Sequence, residues 1–375
     1  MNDTAMQNKN TGFVWHESYA WHDTGTPALF VPADGKTVQP DISGDDPEVK
    51  RRFRNLLEMS SLWDKLHHIK PRPAAEEDIL RVHGRGYLER VQSLSRSGGG
   101  EISPMTMCGP NSYEIALLST GGVMAAADAV LEGNIRNAYA LVRPPGHHAM
   151  PDEGQGSCIF SNIAITARYL MDQYGLERVA IVDWDVHHGN GTEAAFWSDP
   201  NVLTISIHQD RCFPQDRGFV EQCGEDDGEG FNLNIPLPPG SGVPAYQATF
   251  DQVVVPALDR FSPDFILVAS GLDAGALDPI GRMLMHSDGY RYLTEAVMAA
   301  ADTSCDGRLV LCHEGGYSRA TVPFYGLAIM EQLSGINTGI EDPFLEMVQG
   351  FGGQELLPHQ QSAIDKAGQL LGGVR

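Results

Sequence analysis

Two carboxylates and two imidazoles crowd into the start of Asp183-Trp184-Asp185-Val186-His187-His188-Gly189-Asn190-Gly191, directly after the apolar run Val179-Ala180-Ile181-Val182. Charged side chains at the exit of a buried strand are costly unless something compensates them, and a metal ion does so. In an extended segment, residues i and i+2 share a face about 6.6 Å apart, and i and i+4 lie about 13 Å apart. One ion therefore bridges neighbours in the series Asp183, Asp185, His187 but not both ends. Asp185 and His187 are the candidate ligands, and Asp183 becomes an outer carboxylate able to hold a nearby imidazole. Asp273 is the natural third ligand, because it follows the apolar run Phe265–Ala269 and is flanked by small residues. Two carboxylates and one imidazole leave a position open for water and substrate, the pattern of a catalytic metal.

A second pair, His147-His148, stands behind Arg143-Pro144-Pro145-Gly146, an irregular turn that can aim both rings into the same site. An attacking water must lose a proton and a leaving amine must gain one, and imidazole titrates in the range needed for both. Tyr317 follows Gly315-Gly316, and its phenol can donate to a developing oxyanion opposite the metal. A binuclear ureohydrolase-type site is the nearest competitor. It needs more carboxylates, but Gly189 stands two after His187 and Gly275 two after Asp273. One catalytic ion fits better.

These residues need a frame. Strand-length apolar runs occur at 138–142, 179–182, 202–207, 265–269 and 309–312, and helical stretches at 162–174, 245–261, 289–301 and 321–333 alternate with most of them. Continuous apolar strands separated by helices predict a parallel sheet covered on both faces. The site then lies outside the carboxyl ends of the strands, where all the residues above fall. Upstream, Asp45-Asp46-Pro47-Glu48 reads as a helix start leading into 49–66. Further helices are expected at 75–82, 87–94 and 113–131, with a loop over 97–110. The expectation is one α/β domain over residues 1–375, with residues 1–12 flexible and 351–375 a helical segment at the edge.

The chain has 375 residues and a formal net charge of −23. That charge argues against nucleic acid and anionic membranes as partners and permits cationic substrates. No run approaches the roughly 18 apolar residues of a membrane helix. Residues 1–10 lack the apolar core of a signal peptide. Six scattered cysteines without a CxxC read as reduced thiols in a cytoplasmic protein.

The ordered set Arg143-Pro144-Pro145-Gly146-His147-His148, Asp183 to Thr192, Ser270-Gly271-Leu272-Asp273 and Glu314-Gly315-Gly316-Tyr317 resembles the zinc-dependent histone deacetylase superfamily. The resemblance runs from about Phe13 to about Gly350 and is nearest to the class II branch with its bacterial histone deacetylase-like amidohydrolases. It implies an arginase/deacetylase-type three-layer fold and hydrolysis of acyl-lysine-type amides. It implies Zn2+ on Asp185, His187 and Asp273, His147 paired with Asp183, His148 backed by Asn190 as the main base and acid, and Tyr317 polarising the carbonyl. Two structural K+ ions are also implied. One is held by Asp183, Asp185, His187, Ser206 and Ile207, the other by main-chain oxygens near Phe196, Asp199, Val202 and Phe231.

Three positions set this chain apart within the resemblance. Asn190 stands where class I enzymes carry an aspartate, which makes His148 less basic than in a charged dyad. Gly156-Ser157-Cys158 replaces the family's Gly-Phe-Cys, so Ser157 is expected to widen a substrate tunnel whose other wall is Phe213. Gly156, Gly315 and Gly316 are expected beside it. Ile280 occupies the rim position where polyamine-specific relatives place a glutamate. The expected substrate is an acylated lysine in a peptide or protein, or a small acylated amine. An acetylpolyamine deacetylase on the same fold and a non-catalytic acyl-lysine or metal-binding module are the alternatives, and a homo-oligomer is left open.

Overall fold

In the computed structural model, which describes residues 10–375, ten strands follow in chain order. They are β1 (Thr11–Val14), β2 (His67–Ile69), β3 (Gly100–Ser103), β4 (Thr106–Cys108), β5 (Asn137–Ala140), β6 (Val179–Asp183), β7 (Val202–Gln209), β8 (Asn232–Leu237), β9 (Phe265–Ser270) and β10 (Leu309–His313). Eight of them form one sheet in the order β2-β1-β5-β10-β9-β6-β7-β8. Every pairing in that sheet is parallel. Only β3 and β4 pair antiparallel, as a separate hairpin.

The continuous apolar runs are explained by two cores, one on each face. Along β6, Ala180 and Val182 join one buried cluster, while Val179 and Ile181 join the other. Leu309 and Leu311 of β10 face the first, Val310 and Cys312 the second. Helices Pro47–Met59, Ser287–Ser304 and Val322–Ser334 cover the first face, and Ser112–Leu131 and Asn162–Tyr174 the second. This is a single α/β domain with helices on both faces of a parallel sheet.

Local differences from the sequence expectation have local causes. The helix at Pro47 starts as its Asp46 cap requires, the carboxylate accepting from Glu48 N at 3.0 Å. It ends at Met59 instead of running to 66, because Ser61 takes a left-handed backbone (φ 59°) before a 3-10 turn at Trp63–Lys65. The stretch 97–110 is not a loop but the β3–β4 hairpin, with Met105 at its tip. Thr11 and Gly12 are not flexible but buried in β1; residues 1–9 lie outside the described residues. Helix Ser112–Leu131 is long and apolar enough to cross a membrane by length and composition, contrary to the sequence reading, and here packs as a core helix. All six cysteines are free thiols.

Candidate active site

The strands that matter are adjacent. The order β5-β10-β9-β6 brings the exits of four strands together, and they carry His147 and His148, Tyr317, Asp273, and the Asp183 segment respectively. The segment after β6 folds back on its own carboxylates. Asp183 Oδ1 accepts from Asp185 N at 3.0 Å, and Asp185 Oδ1 accepts from His187 N at 2.9 Å. Asp185 Oδ2 accepts from Gly315 N at 2.8 Å, and Asp273 Oδ1 accepts from Val186 N at 2.9 Å. Three exits are thereby tied to one point.

Asp185, His187 and Asp273 are buried and offer ligand atoms all within 4.8 Å of one another. His187 Nδ1 lies 3.0 Å from Asp185 Oδ1 and 3.2 Å from Asp273 Oδ2, which has no well-aligned hydrogen-bond donor. A buried acceptor facing a second carboxylate and an imidazole fits a divalent cation. The charge balance agrees. Burial and the neighbouring Asp185 push Asp273 up to about 7. Burial opposes a charged His187, but the adjacent Asp185 and Asp273 carboxylates override it and hold its pKa well above the usual value.

The two catalytic candidates among the histidines differ sharply. His147 Nδ1 sits 2.9 Å from Asp183 Oδ2. Burial works against its charge, but the Asp185 and Asp183 carboxylates outweigh that and raise its pKa to about 10. His148 has a neutral partner, Asn190 Oδ1, 2.7 Å from its Nδ1. Asn190 Nδ2 donates to Gln155 Oε1 at 2.6 Å, which turns the amide oxygen toward the ring. An amide oxygen only accepts, so the proton sits on His148 Nδ1 and Nε2 keeps its lone pair. Burial and the charges of His147 and His187 lower the His148 pKa well below its usual value. One imidazole is held charged and the other neutral, a separation suited to divided acid–base work.

The tunnel above the trio encloses about 210 Å³ and is lined by Phe30, Met105, His148, Gly156, His187, Cys212, Phe213, Ile280 and Tyr317. Phe213 stands edge-on to His148 at 4.9 Å. A Cβ on Gly156 would fall 2.4 Å from the His148 ring, so only glycine fits there. Burial raises the Tyr317 phenol well above its usual range, so it stays a donor. Asp278 holds that segment in place, its two oxygens accepting from Tyr317 N and Ile280 N at 2.8 and 2.9 Å.

Three expected tunnel residues lie elsewhere. Ser157 has a left-handed backbone (φ 67°) following that of Gly156, and it lines a neighbouring pocket rather than the tunnel. Phe30 and Met105 line the tunnel itself. Gly315 lies beneath the trio, where a Cβ would meet Asp273 Oδ2 at 2.1 Å, and Gly316 packs on Leu272. His188 points away, its Nε2 3.2 Å from Glu193 Oε2. Among the residues suggested for potassium, Asp183 and Ser206 are register partners on β6 and β7, and Ile207 follows on the same strand. The Phe196 and Phe231 carbonyls accept from Asp199 N and Thr204 N at 3.0 Å each; Val202 opens β7 beside them.

Several contributing residues carried no role in the sequence reading. Glu314 Oε2 accepts from Gly146 N and His147 N at 2.7 and 3.1 Å and so fixes the turn that aims the histidines. A polar residue at a strand exit is the same signal that exposed Asp183. Phe30 and Met105 come from distant loops with no distinctive pattern around them.

Residues 46–332 match the histone deacetylase domain family. The chain is 49% identical over 343 residues to the histone deacetylase-like amidohydrolase of Pseudomonas aeruginosa, covering 91% of this chain and 90% of that protein. It is 35% identical over 321 residues to histone deacetylase 8 of Arabidopsis thaliana, covering 83% and 84%. The crystal structure of the HDA15 HD domain superposes with a TM-score of 0.80 at 28% identity, covering 96% of this chain and 98% of that one.

Proposed function

The chain belongs to the histone deacetylase family and is a hydrolase of amides; from that premise we propose that it removes acetyl-type groups from acylated lysine or a related acylated amine, with one zinc ion on Asp185, His187 and Asp273. The observation that carries the reading is the pairing of His147 with the Asp183 carboxylate and of His148 with the Asn190 amide oxygen beside a buried two-carboxylate, one-imidazole trio. The family is metal-dependent, and zinc bound there supplies Lewis acidity and lowers the pKa of water.

The protein's own groups do the rest. His148 Nε2, unprotonated and open to the tunnel, takes a proton from the attacking water and returns one to the leaving amine. His147, fixed by Asp183, supplies positive charge beside it. Tyr317 donates from the opposite wall to the amide oxygen as that oxygen gains charge. Phe213, Ile280 and Met105 exclude water from the substrate's alkyl stem. Two structural potassium ions are proposed at the β6–β7 exit and at the Phe196 and Phe231 carbonyls, each of which keeps a second lone pair.

The test is turnover of an acetyl-lysine peptide by the purified enzyme. A chelator abolishes it and zinc restores it. His148→Ala lowers kcat by roughly 10²–10⁴, and Tyr317→Phe by roughly 10²–10³. Full activity in His148→Ala would remove the mechanism.

A further inference from the structure

Tyr317 is delivered by a segment with no regular structure of its own. Residues 314–318 follow β10 without helix or strand, and Gly316 takes a backbone (φ 124°) that side chains rarely adopt. The Tyr317 ring meets Phe30 and His187 edge-on at 5.7 and 6.5 Å. Edge-on contacts do not fix a hydrogen-bonding distance. The main chain is fixed instead: Tyr317 N donates to Asp278 Oδ2 at 2.8 Å, across a sequence separation of 39. The other carboxylate oxygen serves its own turn, Asp278 Oδ1 accepting from Ile280 N and Gly281 N at 2.9 and 3.2 Å. A turn of that kind is local and needs one oxygen. The bond to Tyr317 goes beyond it and joins two walls of the tunnel, since Ile280 and Tyr317 both line it. The turn is itself well tied. Asp278 N donates to the Gly275 carbonyl and Ala276 N to the Met285 carbonyl at 3.0 Å each, and Arg282 N donates to Gln209 Oε1 at 2.8 Å. A Cβ on Gly281 would fall 2.1 Å from the Asp273 carbonyl oxygen, so the turn lies against the backbone of a metal-ligand candidate.

We propose that Asp278 is a positioning residue for the reaction: its carboxylate holds the Tyr317 main chain so that the phenol stands at hydrogen-bonding distance from the substrate's amide oxygen, and it refers that distance to the loop that carries Asp273 and Ile280. The inference rests on the amidohydrolase reading, which gives the phenol its task. The group has to be a carboxylate. Three backbone N–H groups converge on it, and both of its oxygens accept. An amide in its place keeps one acceptor and turns an NH2 toward the remaining donors. Two donors face Oδ1 and one faces Oδ2, so the amide oxygen stays with the turn and its nitrogen opposes Tyr317 N. Asp278→Asn therefore preserves the turn and releases the tyrosine.

The experiment is a double-mutant cycle between Asp278→Asn and Tyr317→Phe in the zinc-loaded enzyme. Asp278→Asn lowers kcat on an acetyl-lysine peptide by about 10- to 100-fold at unchanged KM and zinc content, as for a catalytic group that is present but displaced. In the Tyr317→Phe background it costs nothing further, because the phenol it places is already gone. A trifluoroacetyl-lysine peptide, whose carbonyl is activated without a donor, loses less than the acetyl peptide. Equal losses with and without the phenol make Asp278 a merely structural residue and overturn the proposal. If Asp278→Asn folds poorly, Asp278→Ser takes its place in the cycle: the hydroxyl still closes the turn and leaves no second oxygen for Tyr317. Equilibrium binding of an uncleavable trifluoromethyl ketone analogue of the acyl-lysine side chain separates this proposal from the reading beneath it. Asp278→Asn and Tyr317→Phe each weaken that binding roughly tenfold, and together no more than either alone. Ketone binding unchanged by Asp278→Asn overturns the proposal whether or not the peptides are cleaved. The coupled loss of ketone binding without turnover of either peptide by the unmutated enzyme keeps the role of Asp278 and overturns the reaction.

Discussion

At the scale of single residues, the division of labour between His147 and His148 rests on the group behind each ring. Asp183 is a carboxylate that raises the His147 pKa, whereas Asn190 is an amide that adds no charge to offset the burial and the His147 and His187 charges that lower the His148 pKa. Replacing Asn190 by Asp adds a negative charge 2.7 Å from Nδ1, and a carboxylate that close favours the imidazolium. The sign follows. His148 acts as a base only when unprotonated, and its pKa now lies well below the usual histidine value. Asn190→Asp raises that pKa, so the acid limb of kcat/KM moves to higher pH while the rate above it is retained. An unchanged acid limb would show that His148 is not the group titrating there. The metal trio and both histidines were legible in the sequence because charged groups at strand exits are conspicuous. Ser157 lines the adjoining pocket rather than the tunnel, a placement its position in a motif did not show.

At the scale of elements, the site depends on how closely the ends of β6, β9 and β10 converge. Gly315 gives its amide to Asp185 Oδ2 and has no room for a side chain: a Cβ would lie 2.1 Å from Asp273 Oδ2 and 2.7 Å from Asp185 Oδ2. Gly271 is as tightly set, its Cβ 2.2 Å from Asp185 Oδ2. Gly315→Ala therefore separates the two carboxylates rather than filling space. The expected result is metal affinity reduced by about 10–100-fold, the range seen when groups supporting metal ligands are disturbed. Metal content after dialysis and kcat/KM at saturating zinc separate a weakened site from a misfolded one: excess zinc restores much of the activity in the first case only. The parallel strands carrying these glycines were readable as continuous apolar runs. The hairpin β3–β4 was not, because Gly98-Gly99-Gly100 and Pro104 mask two strands of four and three residues.

At the scale of the whole molecule, the segment after Phe351 contributes more than edge cover. Helix Pro358–Gly368 packs on β8, the last strand of the sheet, and on the helical stretch 243–254. Ile364, Ala367 and Val374 belong to the same buried cluster as Val182 and Leu311 in the centre of the sheet. Arg260 Nη1 donates to the Leu371 carbonyl at 2.8 Å, and Arg178 reaches the Arg375 carbonyl. The helix thus extends the core on one face of the sheet out to its last strand. The sequence showed a helix there but not its burial, because a short amphipathic stretch looks the same on a surface and against a sheet. Ile364→Ala is expected to cost about 2–5 kcal/mol of unfolding free energy, as for a large aliphatic side chain removed from a packed core. Denaturant unfolding measures it, with acetyl-lysine turnover below the transition unchanged because the residue lies far from the four strand exits. A loss under about 0.5 kcal/mol would mean the segment is an independent appendage, and the core of this deacetylase-family domain would then end before it.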